Sequence, residues 1–95
     1  MSTMATIVRE TATIINKLGL HARASAKFVA TASKFQATIE VKRGDKTVNG
    51  KSIMGVMMLA ATKGTELEIS ADGDDAEKAV TTICKLIADR FGEKE

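Results

Sequence analysis

Lys17-Leu18-Gly19-Leu20-His21-Ala22-Arg23-Ala24-Ser25 places the chain's only histidine after a glycine turn and before a run of good helix formers. A residue at that junction sits at the N-terminus of a helix, where backbone N–H groups lack partners and the helix dipole is positive, so an anion at the His21 ring is stabilised. Imidazole is a competent nucleophile near neutral pH, and one of its nitrogens can react while the other keeps a hydrogen bond. Arg23, two residues on, offers a planar guanidinium matched to phosphate oxygens. A phosphorylatable histidine is one reading; a helix cap or a solvated surface residue is the other, and this stretch alone leaves both open.

Upstream, the mixture of β-branched, small and charged residues over Ile7–Ile15 predicts a strand with Val8, Ala12 and Ile14 pointing inward. Asn16–Gly19 form the loop before His21. Downstream, Ala22–Lys34 predicts a helix with an apolar stripe of Ala22, Ala26, Phe28, Val29 and Ala30. Thr38–Arg43 alternates, with Ile39 and Val41 on the dry face; Gly44-Asp45 signals a turn, and Lys46–Asn49 returns as a partner strand. Ser52 is placed to cap a short helix over Ile53–Leu59, weakened by Gly55. Thr62–Thr65 breaks the chain, and Glu66–Ala71 alternates again with Leu67, Ile69 and Ala71 inward. Asp74 with Glu77 forms a capping-box pattern for a last helix whose Ala76, Ala79, Val80, Ile83, Cys84, Ile87 and Phe91 recur at helical spacing until Gly92. The order β-α-β-β-α-β-α, with half-wet strands and amphipathic helices, predicts an α+β open-faced sandwich: an antiparallel sheet with its helices on one face.

At 95 residues the chain is expected to be one domain, with Met1–Thr6 a short tail. The formal net charge is only +2, but up to Thr65 ten Lys or Arg face three acids, and from Glu66 onward four face nine. That asymmetry predicts a dipolar surface whose basic side gathers Lys17, Arg23, Lys27 and Lys51 around His21 and steers acidic partner proteins. Solvated faces that differ in charge are the plainer explanation. With three Phe and neither Trp nor Tyr, the chain lacks a base-stacking platform, so no nucleic-acid partner is expected. The single Cys84 allows no internal disulfide and reads as a small core residue, no metal ligand set is recognisable, and no apolar run spans a bilayer. A reducing, cytoplasmic compartment is the expected location.

The Gly19-Leu20-His21-Ala22-Arg23 run resembles the active-centre loop of HPr, the histidine phosphocarrier family of the bacterial phosphoenolpyruvate phosphotransferase system. Gly50-Lys51-Ser52-Ile53-Met54-Gly55-Val56-Met57-Met58-Leu59, about thirty residues downstream, resembles that family's regulatory-serine segment, and the similarity extends from about Val8 to Phe91. The resemblance implies four antiparallel strands backed by three helices, the middle one short. It further implies that His21 accepts a phosphoryl group on Nδ1 from phospho-enzyme I and hands it to a histidine of an enzyme IIA, with Arg23 stabilising the charge. Such a protein is a phosphoryl carrier with a covalent intermediate, needs no cofactor and is expected to be a monomer. The implied partner surface comprises Lys17, Leu20, Ala24, Lys27, Lys51, Ile53, Met54 and Met57, with Val56 and Leu59 inside. Ser52 is implied as a regulatory site for HPr kinase/phosphorylase, a modification that coexists with a capping role.

Two departures from the family pattern stand at the loop. Ala24 replaces the common proline after the motif arginine and retains an N–H. Leu18 replaces a small polar residue, and Ile15–Ala24 looks closer to the nitrogen-branch paralogue, which serves a regulatory enzyme IIA. The alternative function is therefore a regulatory interaction module switched by phosphorylation rather than a sugar-uptake carrier. A stand-alone hydrolase has no support, since no carboxylate or second nucleophile stands near His21 in sequence.

Overall fold

The computed structural model describes residues 7–95. Its strands are β1 (Ile7–Thr13), β2 (Thr38–Arg43), β3 (Lys46–Asn49) and β4 (Glu66–Asp72), and its helices are α1 (Ala22–Ala32), α2 (Ile53–Met58) and α3 (Ala76–Ala88). The sheet has the order β1-β4-β2-β3, antiparallel throughout. On β4, Ala71 lies between Val8 and Ile39, Ile69 lies opposite Val41, and Leu67 opposite Ala12, so the alternating apolar residues of three strands share one face. The opposite face carries polar pairs such as Lys42 opposite Glu68. Period-two alternation thus separates a dry face from a wet one, as half-buried antiparallel strands require.

The three helices cover the dry face. α3 packs on β1 and β4, while α1 packs between α2 and α3. The core gathers Ile14, Phe28, Ile39, Val41, Val56, Leu59, Leu67, Ile69, Val80, Ile83, Ile87 and Phe91, all buried. Truncating one of these large side chains, for instance Ile69→Ala, is expected to cost about 2–5 kcal/mol.

Several sequence expectations are corrected here. β1 ends at Thr13 rather than Ile15. Ile14 still turns inward, its N–H donating to the Thr65 carbonyl (2.9 Å) and its carbonyl accepting from Gly64 (2.7 Å). The buried face of α1 is Ala24, Ser25, Phe28 and Ala32, whereas Ala22, Ala26 and Ala30 are exposed. Alanines occur on every side of this helix, so the one large side chain, Phe28, sets the inward face and carries its i±4 neighbours with it. Ser25 is accommodated because its hydroxyl donates to the Leu20 carbonyl (3.1 Å).

The capping box at Asp74 and Glu77 does not form. Asp75 holds the N-cap position of α3, and its carboxylate accepts no hydrogen bond from its own helix. It accepts instead from the Gln36 and Ala37 N–H groups, both at 2.8 Å. Gly73 explains the choice: at φ 151° it lets the chain pass so close to Ala37 that a Cβ would stand 2.9 Å from the Ala37 Cα. Two amides left over between α1 and β2 therefore meet a carboxylate, and the tertiary partner wins over the local one.

The bond from Gln36, helped by those from Ala37 and from Asp75's own N–H and by the charge of Lys51, outweighs the opposing effect of burial and lowers the Asp75 pKa. A carboxyl lowered in the folded state contributes stability that is complete above its unfolded pKa, about 3.9, and is lost as pH falls through the native value. Asp75→Asn is thus expected to be less stable than wild type near neutrality and to converge with it in acid. Urea denaturation from pH 6 to pH 2 checks this; parallel pH profiles would contradict it.

Candidate functional site

The site is built where β1 gives way to α1. Gly19 adopts φ 67°, and a Cβ there would lie 2.4 Å from the Ala61 carbonyl oxygen. That close approach lets the Leu20 N–H donate to the same oxygen (2.9 Å), which pins the loop to the segment before β4. Leu20 is consequently buried, so its side chain belongs to the core and not to a partner surface. Ala24 is corrected likewise: it is fully buried in the first turn of α1.

His21 is the N-cap of α1, with extended backbone (φ −72°, ψ 179°) and its carbonyl accepting from Ser25 N–H. Its side chain is 28% exposed. The Arg23 N–H donates to Nδ1 at 3.2 Å, and Nε2 lies 2.6 Å from Oε2 of Glu93. A backbone N–H can only donate, so Nδ1 holds a lone pair; the neutral ring then carries its proton on Nε2 and donates it to the Glu93 carboxylate.

Glu93 reaches the ring across 72 residues of chain. α3 stops at Ala88, and Arg90, Phe91 and Gly92 follow with φ of 55°, 55° and 78°. Two consecutive non-glycine residues in the left-handed region cost on the order of 1 kcal/mol each. Burial of the Phe91 ring offsets that cost, and the Lys27 ammonium donates to the Phe91 carbonyl at 2.7 Å. Phe91, expected on the helical stripe, therefore enters the core from a reversal that throws Glu93 back over α1. Burial alone would raise the Glu93 carboxyl pKa. Hydrogen bonds from His21 and Asn16, with electrostatic attraction to His21 and Lys27, outweigh it and hold the group below the usual carboxylate range.

Of the predicted cations, the structure brings Lys17, Arg23 and Lys27 to this end of the molecule. Lys17 lies 3.6 Å from the Glu95 carboxylate, and its N–H donates to the Glu95 main-chain oxygen. Lys51 is not among them: its ammonium donates to the Phe35 carbonyl (2.7 Å), beyond the other end of α1. The charge count could not distinguish the two ends of that helix.

Ser52 caps α2, its hydroxyl accepting from the Gly55 N–H at 3.0 Å. Ile53, Met54 and Met57 are exposed while Val56 and Leu59 are buried, as expected, and Met58 joins the exposed group. At the other end of α2, Arg43 donates to the carbonyls of Leu59 and Ala60 (2.7 and 3.1 Å) and Lys46 to that of Met58 (3.2 Å). Cys84 is half-buried against the core, and burial, aided by the charge of Glu10, raises its thiol pKa. Among the described residues no group of three or more His, Cys, Asp or Glu is placed to hold a metal ion, and no helix is long and apolar enough to cross a membrane.

The residues missed in the sequence are Glu93, Asn16 and Met58. Asn16 reads as a loop residue, yet it is fully buried and donates to both the Gly19 carbonyl and Glu93. Glu93 carries no local signal, because only the fold brings it to the ring.

An open-faced sandwich with an unprotonated histidine nitrogen at a helix N-terminus defines a class of small proteins equipped to take up an anion on that ring. Comparison with known proteins narrows the class. The family model described as "PTS HPr component phosphorylation site" matches residues 8–89. The chain is similar to Phosphocarrier protein HPr of Neisseria meningitidis serogroup A, 53% identical over 89 residues covering 94% of this chain and all of that protein. It is also similar to Phosphocarrier protein NPr of Shewanella violacea, 41% identical over 85% of this chain and 89% of that one. The crystal structure of HPr-C-His from Thermoanaerobacter tengcongensis superposes with a TM-score of 0.89 at 48% identity, covering 93% of this chain and 99% of that one. The chain belongs to the HPr family of phosphotransferase-system phosphocarriers.

Gly19→Ala is expected to destabilise the fold by at least about 1 kcal/mol from the left-handed backbone alone, with more from overlap with Ala61. Chemical denaturation measures the loss. Amide shifts of Leu20 and His21 should move together, and a variant as stable as wild type would contradict the pinned loop.

Proposed function

We propose that His21 is the phosphoryl acceptor, taking the group on Nδ1 from phospho-enzyme I and passing it to a histidine of an enzyme IIA. The observation that carries this reading is the split of the imidazole: the Nδ1 lone pair faces the start of α1, and the Nε2 proton is held by Glu93. In the forward step the Nδ1 electron pair forms the new N–P bond while the N–P bond of the donor breaks, its electrons returning to the donor imidazole. The ring then bears phosphate on Nδ1 and a proton on Nε2 shared with Glu93. That proton keeps the imidazole a good leaving group, since it departs neutral when the acceptor attacks phosphorus. The Arg23 N–H, released from Nδ1, and the Arg23 guanidinium are available to the phosphate oxygens.

Lys17, Arg23 and Lys27 beside the ring, together with exposed Ile53, Met54, Met57 and Met58 on α2, supply a basic and apolar docking face for acidic partners. Lys51 would contribute only at its margin. The protein works in this reading as a cytoplasmic monomer. The output branch has a second reading, a regulatory nitrogen-branch carrier, favoured by the NPr similarity and by Leu18, 67% exposed beside the site. Incubation with phosphoenolpyruvate and enzyme I should yield acid-labile, base-stable phosphate that His21→Ala abolishes. Glu93→Gln should slow onward transfer about tenfold, the effect of weakening one charge-assisted hydrogen bond. A fully phosphorylated His21→Ala protein would overturn the assignment.

Ser52 is the proposed second phosphorylation site, for HPr kinase/phosphorylase. Its hydroxyl caps α2 immediately before Ile53 and Met54, so a phosphate there adds up to about two negative charges to the docking face. Ser52→Asp should raise the KM of enzyme I for this protein at low salt, and high salt should shrink the difference. Absence of kinase-dependent phosphate on wild type, with an active kinase, removes the Ser52 proposal.

A further inference from the structure

We propose that Asn16 is a positioning residue which, through Glu93, fixes where the proton sits on the His21 ring. The functional part of this inference rests on the reading of His21 as the phosphoryl acceptor; the structural part does not. Asn16 and Ser25 are the buried polar side chains among the described residues, and Asn16 is 0% exposed. Its Nδ2 donates to two acceptors, the Gly19 carbonyl at 2.9 Å and Oε1 of Glu93 at 3.1 Å, the latter 77 residues away in sequence. Its Oδ1 is buried without a partner. An unpaired buried acceptor is costly, so an apolar residue would serve packing better.

The carboxamide is justified by what its two N–H groups do together. One holds the loop's own Gly19 carbonyl and the other holds Glu93. Turning the amide over would set Oδ1 against a carbonyl and a carboxylate, so its orientation is determined. With Oε1 held by Asn16, Oε2 is the oxygen presented to Nε2 of His21 at 2.6 Å. Other cations stand near that carboxylate: the charge of Lys27 acts on it from its place on the Phe91 carbonyl, and Lys17, Arg23 and Lys94 line the same pocket, with Glu95 as the neighbouring acid. Asn16 is neutral and fully buried, and it anchors Glu93 toward the ring rather than toward those cations. The consequence is a ring protonated on Nε2 and open on Nδ1.

The full chain contains one histidine, so nitrogen-15 NMR of its imidazole is free of overlap. In wild type the neutral ring should show a protonated Nε2 and a bare Nδ1, and the Asn16 side-chain amide should shift as Glu93 titrates below the usual carboxylate range. Asn16→Asp, of the same size, places an acceptor where the donor stood. It should move the Glu93 midpoint upward, lower the Nε2–H fraction and slow phosphoryl transfer about tenfold, as for loss of one charge-assisted hydrogen bond. Asn16→Ala should shift the tautomer in the wild-type background but produce no further shift on Glu93→Gln. Because a buried substitution can fail to fold, the wild-type amide titration stands as an independent test. An Asn16 amide indifferent to Glu93 ionisation, or an Asn16→Ala tautomer shift of equal size in both backgrounds, overturns the proposal. Should the tautomer respond while His21 takes no phosphate, Asn16 keeps its positioning role and the carrier reading falls; phosphorylation with an unresponsive tautomer has the reverse meaning.

Discussion

Burial of one face of β4 is the constraint from which the rest of the molecule follows. β4 lies between β1 and β2, and its Leu67, Ile69 and Ala71 need a cover. α3 supplies it by packing along β1 and β4. The chain leaving α3 is therefore delivered beside the loop that leaves β1, although the two are more than seventy residues apart. A phenylalanine driven into the core completes the return and sets Glu93 on the ring of His21. The hydrophobic effect, which has no direction of its own, thus produces a directional contact at the site.

The fold was largely legible in the sequence where physics is local. Ile39 and Val41, or Leu67 and Ile69, alternate with polar neighbours because their strands have one wet face, and the Gly44-Asp45 turn fits a two-residue hairpin with left-handed Gly44. Legibility failed where small residues carry no directional information or where a distant group outcompetes a near one. The alanines of α1 are equally acceptable on either face, so only Phe28 settles the helix rotation. Asp75 had an available helix to cap, and the amides of Gln36 and Ala37 claimed it.

At the site the same division holds. His21 and Arg23 are neighbours in sequence, and their relation is a helix-start geometry that short-range reasoning reaches. Glu93 is joined to them only through tertiary structure, and Asn16, though local in sequence, reaches the ring only through Glu93. Leu20 and Ala24 fell on the wrong side of the surface because a motif shows which residues flank a histidine but not which way each side chain faces. Lys51 shows the corresponding weakness of charge counting, since its ammonium is engaged beyond the opposite end of α1.

Helix α2 is six residues long with a glycine inside it, too short to persist by its own propensity. Its final carbonyls are gripped by Arg43 and Lys46 from the β2–β3 hairpin, while Ala60 adopts φ 49° just past it. The hairpin acts as a clasp on the methionine-bearing helix. The docking face proposed for α2 therefore depends on two basic residues outside that helix, and drift at the clasp would loosen it while leaving every methionine in place.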